Sequence, residues 1–201
     1  MTLALFWGVT FKLTAQPVTY VPDLNLGHRS FTYLHTISYS FNDKIRINNL
    51  TLLDTEYQED KNNIFFIRNT VSFSISQKIA LNAAVGIKNP GSFLTASAQY
   101  RVVKPTYWFA YSLGTTYQRG FTLEQAVSFD YSPYLTQTLQ LYFNLLAIAN
   151  VHRQGYQRGL QFVRLGLKQQ KASYGFALNL DQFNNNTKTL QNAGLFIKYH
   201  F

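Results

Sequence analysis

The chain reads as all-β: a transmembrane, up-and-down antiparallel barrel of twelve strands, with ten as the alternative count. Three observations predict it. Apolar or aromatic residues recur at every second position in one stretch after another, the period of a strand with one greasy face. Charged residues fall almost wholly on the opposite face of those stretches. The composition, 16% aromatic and 13% charged with a single methionine, favours strands over helices.

In chain order, residues 1 to 15 have the shape of a signal peptide. An apolar run from Leu3 to Phe11 leads to a small-residue boundary at Thr14, Ala15 and Gln16, although the basic n-region is missing and Lys12 is atypical. Residues 3 to 13 also alternate as a strand would, so that rival reading stays open. No apolar run approaches the ~18 residues of a membrane-spanning helix. Residues 16 to 201 then form the barrel, with strands expected at 17 to 26, 29 to 41, 44 to 55, 64 to 76, 79 to 88, 92 to 102, 106 to 118, 121 to 132, 137 to 149, 158 to 169, 172 to 182 and 191 to 201. The first is interrupted by Pro22, which suits an edge, a bulge or a kink. Parity argues for keeping it, because single-chain bacterial barrels have even strand numbers. Connections alternate between short turns, such as Asn42 to Asp43, and a set whose longest members are 56 to 63, 150 to 157 and 183 to 190.

Facing is the strongest argument. One face carries Phe31, Tyr33, Ile37 and Tyr39, then Phe65, Ile67, Val71 and Phe73, then Tyr107, Phe109, Tyr111 and Leu113. The other carries Asp23, Lys44, Arg46, Asp54, Arg68, Lys88, Arg101, Glu124, Asp130, Arg158, Arg164, Lys168, Asp181 and Lys198, with only Arg29 expected among the greasy residues, at a strand end. A basic residue on a lipid-facing surface costs about 2–4 kcal/mol at the midplane and little near the interfaces. A water-soluble ligand-binding barrel would show the reverse pattern.

The last strand, QNAGLFIKYHF, alternates Ala193, Leu195, Ile197, Tyr199 and Phe201, with Phe196 as the exception. Ending on an aromatic resembles the C-terminal signature of Gram-negative outer-membrane β-barrels. That resemblance implies that Ile197, Tyr199 and Phe201 are read by the barrel-assembly machinery. It also implies that the barrel lies among outer-membrane lipid and lipopolysaccharide.

Composition narrows the function. No cysteine is present, which excludes disulfide scaffolds, thiolate metal sites and cysteine catalysis. The excess of nine basic residues would suggest nucleic acid in a soluble protein, but here it is expected to sit in a lumen and face lipopolysaccharide, with no nucleic-acid partner. His28 and Ser30 make an H-x-S pair that superficially resembles outer-membrane phospholipase A, but Ser30 is expected in the lumen and no orienting Asn is evident, so no enzyme is expected. Glu124 and Asp130 stand about 20 Å apart along one strand and cannot act as a pair. The acidic group Asp54, Glu56, Glu59 and Asp60 lacks calcium-loop spacing and reads as solvated, while His35 and His152 lack companions at metal-ligand spacing. No cofactor is implied. Small residues such as Ser38, Ser97, Ser112 and Gly114 leave room for water, and twelve strands fall between filled and wide barrels. Two functions remain: a narrow passive channel for small polar solutes lined by Arg46, Arg68, Arg101, Glu124, Asp130, Arg164, Asp181 and Lys198, or a non-conducting accessory barrel binding a protein through its long loops.

Overall fold

The computed structural model describes residues 18–183, 185 and 187–201. The expected signal peptide at 1 to 15, and the rival strand at 3 to 13, lie outside the described residues. Twelve strands close into one antiparallel barrel: β1 (Thr19–Gly27), β2 (Ser30–Ser40), β3 (Ile45–Glu56), β4 (Ile64–Ser74), β5 (Ile79–Lys88), β6 (Gly91–Val103), β7 (Tyr107–Tyr117), β8 (Phe121–Tyr131), β9 (Leu139–His152), β10 (Gly155–Gln169), β11 (Ala172–Phe183) and β12 (Lys188–Tyr199). Each strand pairs with its sequence neighbours, and β1 pairs with β12. Twelve, not ten, is therefore the count.

Local chemistry explains the hairpins. The side chains of Asn42, Ser76 and Thr136 accept from backbone N–H groups two and three residues on, which closes three of the short turns. At the opposite end Arg119 and Gly120 both take positive φ, the conformation a two-residue hairpin demands. Pro22 lies just before the β1–β12 ladder, whose register runs from Asp23 to Gly27, so its missing N–H breaks no bond there.

The loops are shorter than the alternation implied. β9 and β10 continue as a ladder to His152 and Gly155, past the expected break at 149, with a register shift between Tyr156 and Arg158. β11 and β12 likewise extend to Phe183 and Lys188. Of the three long connections, only 57 to 63 stands clear of the ladders, and it holds a 3-10 turn at Asp60–Asn62.

The outward series along every strand is uncharged and mostly apolar, with Leu26, Phe121, Leu195 and Phe176 at 66, 68, 60 and 71% exposure. An area of that kind facing water would aggregate; facing hydrocarbon it is the stable arrangement. Aromatic residues gather at the turn end, where Tyr199 and Tyr20 both pack on Phe201. Arg29 is not the exception it was expected to be. It precedes β2 and its guanidinium turns inward to Glu56 and Asp54, because two buried carboxylates offer more than the interface does.

Candidate functional site: the lumen

Three groups of inward side chains fill the barrel unequally. The first is polar and lines the wall where the ends of the chain meet. Arg29 Nη2 donates to Asp54 Oδ2 at 3.1 Å, and Ser30 Oγ and Thr32 Oγ1 donate to Asp54 Oδ1 at 2.6 and 2.7 Å. Asn179 Nδ2 donates to Thr32 Oγ1, Arg164 Nη1 to Asn179 Oδ1, and Arg164 Nε to Asp23, at 2.9, 2.7 and 3.1 Å. One connected network thus joins β3, β2, β11, β10 and β1. Arg164 is 1% exposed, so it braces the wall and does not line a water path, contrary to the sequence expectation. Its register neighbour is Ala177, yet the guanidinium reaches Asp23 three strands away around the closure. Asp54 and Glu56 are buried and bound to Arg29, which corrects their reading as part of a solvated loop. Ser30 Oγ is held by Asp54 while His28 Nδ1 contacts Ala193, so the H-x-S pair forms no nucleophile and base.

The second group is apolar and was not anticipated. Leu34, Leu52, Phe66, Phe93 and Phe162 form a buried cluster, with Leu50, Ile64, Leu146 and Leu160 packed on it. Its members come from β2, β3, β4 and β6 and, on the facing wall, from β9 and β10. It narrows the lumen partway along its length. Nearer the turn end, Tyr142, Gly166, Gly175 and Phe196 are register partners in one inward row. A Cβ on Gly166 would meet the Tyr174 carbonyl oxygen at 2.0 Å, and the two rings close over the glycines with centroids 5.9 Å apart. Phe196 therefore breaks the outward alternation to fill that hollow.

The third group is small. Ser97, Ser112, Gly114, Ala126 and Ser128 face inward from β6, β7 and β8 and are only half-buried, although they lie well inside the strands. Ser38, Asn48, Thr70 and Ser72, which face inward from β2, β3 and β4, are half-buried as well. One ion pair flanks the β6–β8 wall: Arg68 Nη2 donates to Glu124 at 2.8 Å, and Thr116 Oγ1 also donates to Glu124 at 2.8 Å.

Of the remaining expected lumen residues, Asp181 is buried in a two-bond pair with Arg158 at 2.9 and 2.7 Å. Asp130 accepts from Ser132, and Lys198 lies over the Tyr142 ring. Arg46 and Arg101 line a cavity of about 320 Å³ at the turn end with Asp43, Lys44 and Ser74. A second cavity, of about 410 Å³, opens at the loop end above Phe66, Ile148 and Leu160. Of the six in-strand lumen carboxylates, Asp23, Asp54, Glu56, Glu124 and Asp181 thus serve arginines, whereas Arg46, Lys88, Arg101 and Lys198 have no carboxylate partner within ion-pair distance among the described residues.

The outer face also holds a polar seam. Tyr20 and Tyr33 hydroxyls meet at 2.8 Å, Tyr33 bonds His35 Nδ1 at 2.9 Å, His35 Nε2 bonds Asn49 Oδ1 at 3.1 Å, and Asn49 Nδ2 donates to Asn69 at 2.9 Å. One partner of His35, Tyr33, stands two residues away on the same strand, and the other, Asn49, comes from the neighbouring β3.

An uncharged outer belt, aromatic residues at the turn end and a charged, part-filled lumen define a twelve-stranded barrel of the outer-membrane class. No model of a known protein family matches the chain, and no curated protein matches it. Among solved structures it is similar to the KdgM porin, with a TM-score of 0.54 and 10% identity over 92% of this chain and 98% of that one. It is equally similar to the NanC porin, with a TM-score of 0.54 and 4% identity over 91% and 99% of the two chains. At such identities the likeness is one of fold.

Proposed function

We propose that the protein is an outer-membrane channel, a narrow passive passage for small polar solutes that favours anions. The observation that supports this reading is the wall of small, only half-buried residues Ser97, Ser112, Gly114, Ala126 and Ser128, which leaves room for water past the apolar cluster. The anion preference is supported by arithmetic of charge: arginines occupy five of the six in-strand lumen carboxylates and leave Arg46 and Arg101 at one mouth and Lys88 at the other. The fold shared with two porins is consistent with transport. In this reading the turn end faces the periplasm, lipid and lipopolysaccharide surround the outer belt, and Ile197, Tyr199 and Phe201 meet the assembly machinery. No catalytic role is assigned, since Ser30 is held by a carboxylate.

The test is single-channel current from refolded protein in a planar bilayer under a salt gradient. Discrete steps with a reversal potential favouring chloride are expected, and Arg46→Ala with Arg101→Ala should reduce that preference. Silence from protein shown to be folded by heat-modifiable gel mobility would sink the channel. The accessory barrel would then be the better account, with 57 to 63 as its free loop.

A further inference from the structure

The loop-end cavity contains an unmatched charge. Its volume of about 410 Å³ lies within the range of roughly 300–1,000 Å³ usual for small-molecule sites. Four cations line it, and three have carboxylates of their own: Lys61 pairs with Glu59, Arg68 with Glu124 and Arg158 with Asp181. Among the described residues Lys88 has no ion-pair partner, and Glu124, already bonded to Arg68, acts on it only at longer range. Its Nζ lies 5.0 Å from the centroid of the Phe93 ring. The same ring also carries Arg68, whose Cζ is 5.3 Å from the centroid, so the aromatic face holds both cations at one side of the cavity.

The surroundings decide what would match Lys88. The cavity floor is apolar, formed by Phe66, Ile148 and Leu160. Two nearby polar groups are engaged, since Gln118 Nε2 donates to the Gly91 carbonyl at 2.7 Å and Asn150 Oδ1 accepts from Thr122 at 3.1 Å, whereas Arg68 Nε is a buried donor without a partner among the described residues. A cation outside any ion pair, beside that open donor and above an apolar floor, suits a ligand with one anionic group and a compact apolar or aromatic body. A fully hydrated anion would leave the floor uncovered, and a neutral apolar molecule would leave Lys88 unmatched.

We infer that this vestibule is a binding site for amphipathic organic monoanions, with Lys88 taking the carboxylate and the floor taking the body. The inference deepens the channel reading only in that the vestibule opens to solvent. Binding is read at equilibrium with no current, so a silent barrel that binds, or a conducting one that does not, separates the two.

The experiment is fluorine NMR of 4-fluorobenzoate titrated with the full folded chain in lipid nanodiscs, beside 4-fluorobenzyl alcohol and acetate. Saturable line broadening by the benzoate is expected, with the alcohol and acetate each weaker by about tenfold or more. Lys88→Met should weaken benzoate by a similar factor. Ile148→Trp, which fills the floor while keeping the cation, should weaken it as well and guards against a misfolded Lys88 variant. The site is overturned if benzoate does not saturate, if the alcohol or acetate binds as tightly, or if both variants bind as the parent does.

Discussion

At the scale of single residues, Arg164 shows what closure does to a charge. It is buried, bonds Asp23 and Asn179, and lies over the Phe196 ring at 5.7 Å. A buried carboxylate that loses its guanidinium keeps its desolvation cost without the matching attraction. Arg164→Met is therefore expected to cost about 3–5 kcal/mol, while the double change Asp23→Asn with Arg164→Met recovers much of the loss, read from urea unfolding in lipid vesicles. An equal loss in both variants would assign the effect to packing. The sequence placed Arg164 correctly inside the barrel but not against Asp23. Period-two alternation gives the face of a strand, whereas the partner stands 141 residues away and is found only once β1 has paired with β12.

At the scale of elements, alternation was informative because each strand has a lipid face that excludes charge, and all twelve strands lie within a few residues of their expected spans. Two kinds of error remain, and both come from neighbours. The 150 to 157 and 183 to 190 segments look polar enough for loops, but β9 pairs with β10 as far as His152 and Gly155, and β11 with β12 as far as Phe183 and Lys188. Phe196 looks like a break in the pattern, yet it enters a hollow left by glycines on the adjoining strands, meeting Tyr142 over Gly166 and Gly175. Phe196→Ala should leave a cavity under Tyr142 and destabilise the barrel by about 3–5 kcal/mol in the same unfolding assay. A change below about 1 kcal/mol would mean that the row is loosely packed.

At the scale of the whole molecule, the inside-out pattern of charge was legible from the chain alone, while the internal division of the lumen was not. Leu34, Leu52, Phe66, Phe93 and Phe162 are ordinary inward residues on five separate strands, and only barrel closure brings them together. Their cluster and the Asp23–Arg164 network fill part of the lumen, while the small inward residues of β6–β8 stay half-buried. The chain has no native cysteine, so single thiols can be introduced without background. The most direct test compares current through Ala126→Cys, on the small-residue wall, with current through Ala177→Cys, which faces inward but is only 4% exposed. A charged, membrane-impermeant thiol reagent should reduce conductance in the first variant and leave the second unchanged. Equal sensitivity, or block of the Ala177 variant alone, would contradict a passage along that wall.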